Sequence, residues 1–287
     1  MVDGFNAAEK FQSQIPAMQL LVAMGFKPLS QDEALRLRGN RQRNVVLDDL
    51  LAENLMRING FTHRGKEYDF DLEDAHEAMR RLMPTPDRLK GLRGTNQDIY
   101  DALVLGTTIT KSISGDSKSY SFRYIDWENP ANNEFHVTAE FSVERTGTSK
   151  TKRCDIVAFV NGIPMLVIEN KRPTESLKKA DSQLIGYQNE VNIPQLFHFA
   201  QLLISMKRTE ARYATVGTKR QFWQTWRDEE DTDRAIAPLI NRTLTAVEKN
   251  AVFSGEFASA TGYFDTLAAE GDRVVTEQDR TVFALCR

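Results

Sequence analysis

The chain has 287 residues, of which 41% are hydrophobic and 27% are charged, and its formal net charge at pH 7 is −3. This composition is ordinary for a globular protein, and the slightly acidic balance argues against a uniformly basic nucleic-acid binder without excluding local basic patches. No apolar run approaches the roughly 20 residues that span a bilayer, and the N-terminus lacks the pattern of a signal peptide. The two cysteines, Cys154 and Cys286, predict neither a disulfide framework nor a zinc knuckle. We therefore expect a cytoplasmic protein without a membrane partner.

The first hundred residues have mainly helical periodicity. Apolar residues recur at helical spacing over residues 47 to 58, and Asn59-Gly60 provides a stop signal. A second helical pattern follows Asp71 and ends at Pro84. These patterns predict a helical N-terminal part.

From about Leu103 the sequence becomes rich in β-branched and aromatic residues separated by polar turns, which predicts strands. The predicted strands lie in ALVLGTTITKSI, SYSFRYIDW, EFHVTAEFSVE, RCDIVAFVNGIPMLVIENK, QLLISMK and RYATVGT. A helical pattern runs from about Leu177 to Val191. The acidic run RDEEDTDR then indicates a surface loop or boundary, and a further helix is expected from Ala235 to Val247. The fold class predicted is α/β, a mixed central β-sheet flanked by helices.

The hairpin RCDIVAFVNGIPMLVIENKRP carries charged residues on apolar strands. Asp155 lies in its first strand, and Glu169 and Lys171 lie at the end of its second. Burying an ion without a partner costs several kcal/mol or shifts its pKa. These groups therefore either satisfy one another or are organised around a metal, and we favour the metal. The competing interpretation is a surface ion pair of Glu169 with Lys171 and a turn capped by Asp155.

A shared metal requires a particular strand register. A two-residue turn at Asn161-Gly162 would place Asp155 opposite Ile168, and the two carboxylates would lie on opposite faces. A three-residue loop, Val160 to Gly162, would bring Asp155 onto the face of Glu169. We predict the three-residue loop because metal binding requires both carboxylates.

Two carboxylates and a main-chain carbonyl suit Mg²⁺, which takes oxygen ligands, and a nearby lysine can orient water or stabilise developing negative charge. The acid-x-lysine spacing is weak by itself, since it also occurs at Asp116-Ser-Lys118, in what reads as a polar loop. The apolar strands around Asp155 and Glu169 distinguish the hairpin. In the next helix Gln183 and Tyr187 are four residues apart and share one face, where they could serve the site or form ordinary surface hydrogen bonds.

Together these residues resemble the PD-(D/E)xK nuclease core. The hairpin, with QLIGYQNEVNIPQLFHFAQLLISM after it, is similar to the N-terminal nuclease domain of type I restriction enzyme R (motor) subunits. The resemblance is strong from about Asp126 to Trp226, and the closing VTEQDRTVFAL resembles the segment that precedes the motor domains in that family. It implies a restriction-endonuclease-like core.

The resemblance implies a Mg²⁺-dependent DNA endonuclease in which Asp155 and Glu169 bind the metal and Lys171 assists catalysis. The main-chain carbonyl of Asn170 is a further expected ligand, and an early glutamate, Glu9 or alternatively Glu53, would lie near the metal. The residues expected to support the site or contact DNA are Gln183, Tyr187, Lys152, Arg153 and Arg172. Two positions depart from the pattern: Cys154 replaces a proline, and Asn170 replaces an apolar residue and so needs a buried partner.

The resemblance also implies an organisation. Residues 1–230 would form the endonuclease domain, with 1–100 mainly helical and 101–226 forming the sheet core, and 231–287 would be a helical linker toward an absent motor domain. No GxxxxGK[ST] motif occurs, so ATP would be used only by the full-length subunit. The expected partners are double-stranded DNA and the modification and specificity subunits. Two alternatives remain: a DNA repair or recombination nuclease with the same core, and a non-catalytic DNA-binding or docking module.

Overall fold

A computed structural model describes residues 10–85, 90–227, 232–262 and 271–287. Glu9 and the centre of the predicted acidic loop, residues 228–231, lie outside the described residues. Within the described ranges, no helix is both long enough and apolar enough to cross a membrane.

Six strands form a mixed sheet in the order β1-β6-β7-β8-β9-β10, and two further pairs form the hairpins β2-β3 and β4-β5. The strands are β1 (Lys27–Leu29), β2 (Gly60–His63), β3 (Lys66–Asp69), β4 (Thr107–Ile113), β5 (Asp116–Phe122), β6 (Phe135–Glu144), β7 (Thr151–Val160), β8 (Ile163–Asn170), β9 (Leu202–Lys207) and β10 (Glu210–Ala214). In the large sheet, β1 pairs with β6 and β8 with β9 in parallel, whereas the other neighbours are antiparallel. The predicted mixed sheet is confirmed.

Helices precede, interrupt and follow the strands. They are α1 (Ile15–Ala23), α2 (Gln31–Arg36), α3 (Asp48–Ile58), α4 (Leu72–Leu82), α5 (Gly91–Leu105), α6 (Lys178–Tyr187), α7 (Pro194–Phe199), α8 (Asp233–Ile240), α9 (Ala246–Val252) and α10 (Glu277–Cys286). The predicted helices after positions 47 and 71 are confirmed as α3 and α4. Asp71 begins α4 with a capping box, which satisfies backbone N–H groups of its first turn.

The two faces of the large sheet contribute to two apolar clusters. Val157, Val167 and Leu203 belong to one cluster, together with side chains of α3 to α7 and both small hairpins. Their neighbours Ile156 and Ile168 belong to the other cluster, together with α1, α8, α9 and α10. Successive strand residues point to opposite faces, so strands covered on both sides read as continuous apolar runs. This arrangement explains the unbroken apolar sequence of the β7–β8 hairpin.

Three sequence predictions need correction. Leu103 lies in α5, not in a strand, because the helix continues until Gly106, whose φ of 74° ends it. Asp116-Ser-Lys118 is not a loop but begins β5. The single helix expected from Ala235 to Val247 is two helices, since Thr245 caps a new helix, α9, with its side chain.

Candidate metal centre at the β7–β8 hairpin

The turn between β7 and β8 has two residues, so the predicted three-residue loop is wrong. Val160 pairs with Ile163, and the turn residues Asn161 and Gly162 have φ values of 51° and 87°. Two residues with positive φ match the twist of a hairpin, and asparagine followed by glycine is the sequence most suited to them. The Asn161 side chain holds the turn, because its amide nitrogen donates to Tyr124 O at 3.1 Å and its amide oxygen accepts from the backbone of Glu134 at 2.8 Å.

A β-bulge supplies the register that the turn does not. Phe159 pairs with Pro164 but Ala158 pairs with Leu166, so Met165 is an extra residue in β8. The ladder then runs to the pair Ile156 and Ile168. The next residues on the two strands are Asp155 and Glu169, which therefore lie opposite each other. The bulge therefore gives the hairpin the register parity that we had expected from an odd loop.

Asp155 links the ends of β7 and β8 through its side chain. Its Oδ2 atom accepts a 2.6 Å hydrogen bond from the backbone N–H of Asn170. Because Asn170 directly follows Glu169, this bond holds Asp155 beside the second predicted metal ligand.

Glu169 and Lys171 are both buried, with side chains 1% and 9% exposed. The Lys171 ammonium donates to Glu169 Oε1 at 2.9 Å and to the carbonyl oxygen of Asn170 at 2.7 Å. The alternative of a surface ion pair is therefore wrong in its location, since the pair lies inside the protein. The lysine contacts two of the oxygens that the sequence predicts as metal ligands.

The Asn170 side chain has the buried partner that its polarity requires. Its Oδ1 atom lies 2.9 Å from Ser13 Oγ, which lies 2.8 Å from Gln278 Oε1 in α10. A hydroxyl group has one proton and cannot donate to both oxygens. Turning the Asn170 amide over would let its nitrogen donate to Ser13 while Ser13 donates to Gln278, which gives each of the two hydrogen bonds one donor and one acceptor.

Glu140 is a site residue that the sequence analysis missed. It is 5% exposed, lies in β6 between the partners of Ile156 and Cys154, and has a φ of 56°. Its Oε2 atom lies 2.5 Å from Arg153 Nε, and its Oε1 atom accepts from Gln14 Nε2 at 2.9 Å. In sequence, Glu140 alternates with apolar residues and looks solvent-facing. It is buried because the sheet is covered on both faces, as are Thr138 and His136 at the equivalent places in the alternation.

The pKa of the Cys154 thiol is affected by three acidic groups around it. Burial raises the pKa of Cys154 well above its ordinary value, and the nearby charges of Glu169, Asp155 and Glu140 raise it further. The thiol is fully enclosed in the apolar core, so it is an inert packing group. Three carboxylates therefore lie within electrostatic reach of one buried position.

The predicted pair on α6 is connected to β7. Gln183 Nε2 donates to Tyr187 Oη at 2.6 Å, and that hydroxyl donates to the Arg153 carbonyl at 3.0 Å. Burial, followed by the charge of Glu169, raises the pKa of Tyr187, so the phenol stays protonated and can donate. Both residues thus support the strand that carries Asp155.

The remaining predicted residues occupy different places. Arg153 is exposed and lies beside Glu140, whereas Lys152 and Arg172 are half-buried. Glu53 is exposed on α3, the helix that begins beside the hairpin turn, where Leu47 N donates to Gly162 O at 2.9 Å. Glu53 therefore lies on a helix at the opposite end of the hairpin from Glu169.

The donor set suits a hard cation. Within the part of the chain that the structure describes, no three His, Cys, Asp or Glu side chains are placed to hold a metal ion together. The predicted set has only two carboxylates, Asp155 and Glu169, plus the Asn170 carbonyl, and Mg²⁺ commonly binds through one or two carboxylates and water. The Lys171 ammonium already lies against two of these oxygens. These oxygens are thus of the type that Mg²⁺ takes as ligands, and two of them already accept hydrogen bonds from a cationic group.

A mixed sheet flanked by helices, with opposed acids and a lysine at the ends of two central strands, defines a restriction-endonuclease-like core. A family model described as the N terminus of the type I restriction enzyme R protein matches residues 6–222. The chain belongs to this family.

Individual relatives have the same description. The chain is 27% identical over 208 residues to the type I restriction enzyme HindI endonuclease subunit of Haemophilus influenzae, a match covering 64% of this chain and 19% of the relative. It is 30% identical over 135 residues to the putative MjaIXP endonuclease subunit of Methanocaldococcus jannaschii, covering 47% and 13%. It is 27% identical over 146 residues to the EcoprrI endonuclease subunit of Escherichia coli, covering 48% and 45%. The chain thus spans less than half the length of each of these relatives.

Proposed function

We propose that this chain is the Mg²⁺-dependent endonuclease domain of a type I restriction enzyme R subunit and hydrolyses phosphodiester bonds of double-stranded DNA. The observation that carries the proposal is the β8 bulge at Met165, which sets Asp155 opposite Glu169 beside the buried Lys171. A packed core gains nothing from the buried Glu169 and Lys171, with Asp155 half-buried beside them, since apolar residues would fill the space without desolvating charge.

Asp155, Glu169 and the Asn170 carbonyl would hold the metal. When bound, Mg²⁺ supplies an activated water and neutralises negative charge on a phosphate oxygen. Lys171 contacts Glu169 Oε1 and Asn170 O, so its ammonium lies against two of the oxygens that would hold the metal. It would donate a hydrogen bond to a scissile phosphate oxygen and stabilise the negative charge that develops there.

The surroundings favour a polyanion. The segment from Arg145 to Asp181 has eight basic and four acidic residues, and Lys152, Arg153 and Arg172 in it lie in β7 or just after β8. Phosphate contacts of this kind position DNA without reading its sequence. Sequence recognition would belong to the modification and specificity subunits, and ATP would be used by the remainder of a full-length R subunit.

Cleavage by the assembled restriction complex tests the proposal. Glu169→Ala should lower the rate of DNA cleavage by at least about 100-fold, the order expected when a group stabilising charge in the transition state is lost. Glu175→Ala is a matched control, because Glu175 is another glutamate that follows soon after β8 in sequence, and it pairs with Lys179 at 2.8 Å. That control should cleave as the wild type does.

Two results would contradict the proposal. If the chain binds no Mn²⁺ or Mg²⁺ and Glu169→Ala cleaves normally, the chain is a docking module instead. If the 287-residue chain cleaves DNA at full rate without the other subunits, the repair or recombination nuclease is the better assignment.

A further inference from the structure

Gln14, just before α1, reaches the centre of the candidate site from outside the sheet. It is 1% exposed, and its Nε2 atom donates to Glu140 Oε1 at 2.9 Å and to the Asp155 carbonyl at 2.7 Å. Both protons of this amide nitrogen are therefore in hydrogen bonds, one to β6 and one to β7. A residue far away in sequence thus connects β6 and β7 where Asp155 lies.

The strands need such a connection at this point. The β6–β7 ladder has Cα partners at Ala139 with Ile156 and at Phe141 with Cys154, but none is assigned between Glu140 and Asp155. Glu140 also has left-handed backbone, which interrupts regular pairing. The side chains of β6 also change face here. Ala139 and Phe141 would share one face of a regular strand, yet Ala139 packs in one apolar cluster and Phe141 in the other. The Gln14 amide therefore bonds to the strands where their own ladder is broken.

The position of Gln14 is in turn held by its neighbour. Ser13 is fully buried, and its hydroxyl lies between the side chains of Asn170 and Gln278. Gln278 Nε2 also donates to the Ser13 carbonyl at 3.0 Å. Ser13 and Gln14 together thus contact β6, β7, β8 and the C-terminal helix α10.

We propose that Gln14 is a positioning residue of the metal site. It orients Asp155 by donating hydrogen bonds to the main-chain carbonyl of Asp155 and to the carboxylate of Glu140. The inference rests on the proposed function, since it takes Asp155 as a metal ligand. Groups that orient metal ligands typically change metal affinity by 10–100-fold when removed. Gln14 does not contact the reacting atoms, so we expect its replacement to weaken metal binding.

The test measures Mn²⁺ binding to the 287-residue chain without DNA, from the loss of the free Mn²⁺ resonance signal. Gln14→Met removes the donor while keeping an unbranched side chain of similar length. Gln19→Met is the matched control. Gln19 is also buried, within α1, and its amide nitrogen donates to Arg242 O at 3.0 Å rather than to a strand residue. Urea unfolding of both variants shows whether their losses of stability are comparable.

We expect Gln14→Met to raise the dissociation constant for Mn²⁺ by about tenfold or more, whereas Gln19→Met leaves it unchanged at a comparable loss of stability. Equal affinities of the two variants would overturn the inference and leave the proposed function standing. If the wild type binds no Mn²⁺, both fail. Should Gln14→Met not fold, Gln14→Asn replaces it: its amide is one methylene too short to reach both oxygens, and wild-type affinity in that variant would equally refute the role.

Discussion

Single charged residues in this protein depend on neighbours that are distant in sequence. Glu169 and Lys171 satisfy each other inside the protein, and Asp155 uses its carboxylate to bind the backbone of Asn170. Their chemistry follows from residue type and could be predicted. The burial of Glu140 could not, because it depends on distant elements that cover β6 on both faces, where Thr138 and His136 are buried as well.

His136 makes stability depend on pH. It is 4% exposed in β6, and burial lowers its pKa below the ordinary 6.5, an effect that the charge of Glu134 only partly opposes. The unfolded chain therefore binds a proton more readily than the folded one. The stability that the neutral, buried His136 contributes is fully present above about pH 6.5, the pKa in the unfolded chain. It is lost as the pH falls from there through the lower pKa that His136 has in the folded protein.

We expect the urea midpoint of the wild type to fall between pH 7 and pH 5, and His136→Gln to weaken that dependence. Part of it should remain, because burial also lowers the pKa of His198. His76, exposed on α4, provides the control, and His76→Gln should leave the slope as it is. An unchanged slope in His136→Gln would show that His136 does not contribute.

At the level of elements, three of the described hairpins, β2–β3, β4–β5 and β7–β8, use the same kind of two-residue turn. The β4–β5 turn has Ser114 and Gly115 with φ values of 50° and 84°, close to those of Asn161 and Gly162. The Asn161-Gly162 turn packs against the start of α3, where Leu47 N donates to Gly162 O at 2.9 Å. The β7–β8 hairpin therefore combines a locally encoded turn with a bulge that shifts its register.

Gly162 and Gly115 allow a matched comparison. Alanine at either position has the strain of a left-handed residue, about 1–2 kcal/mol. At Gly162 an added Cβ would also lie 2.7 Å from Leu47 O and 2.9 Å from Leu51 N, whereas nothing lies within 4 Å at Gly115. We expect Gly162→Ala to lower the free energy of unfolding clearly more than Gly115→Ala in urea titrations. Equal losses would mean that α3 moves aside without cost.

For the whole molecule, the two ends of the described chain share one apolar cluster. Leu20 and Leu21 of α1 belong to it with residues after the predicted domain boundary at residue 230. Seven larger members come from that C-terminal part: Ile236, Ile240, Leu244, Val252, Phe253, Phe257 and Val282. The boundary itself stays a prediction, but the segment after it covers one face of the sheet.

Truncation after residue 230 should therefore be severe. Each buried side chain of this kind contributes about 1.5–3 kcal/mol, so losing seven removes roughly 10 kcal/mol or more, against a total stability of about 5–15 kcal/mol for a typical domain. We expect residues 1–230 to be insoluble or to lose cooperative unfolding, while residues 1–287 unfold in one transition. A stable, cooperatively folding 1–230 fragment would show that the C-terminal helices are dispensable.

Much of the architecture could be predicted because it is encoded over short distances. The helices α3 and α4, the strands β6 to β9 and the acids of the hairpin follow from periodicity and residue type. The start of β4 was misplaced, since apolar residues such as Leu103 suit a helix and a strand equally. The break between α8 and α9 was missed because Thr245 can cap a helix or lie within one.

The sequence by itself determined which residues could do metal chemistry. It also encodes a two-residue turn, because Asn161-Gly162 suits one, although we predicted a three-residue loop there to bring the two carboxylates together. Only the tertiary structure decided that the bulge at Met165 shifts the register and that Gln14 meets Asp155. Which residues of β7 and β8 share a face depends on the pairing along the whole of both strands. The contact between Gln14 and Asp155 joins positions 141 residues apart. Local patterns carry no information on either, since both result from how distant segments pack together.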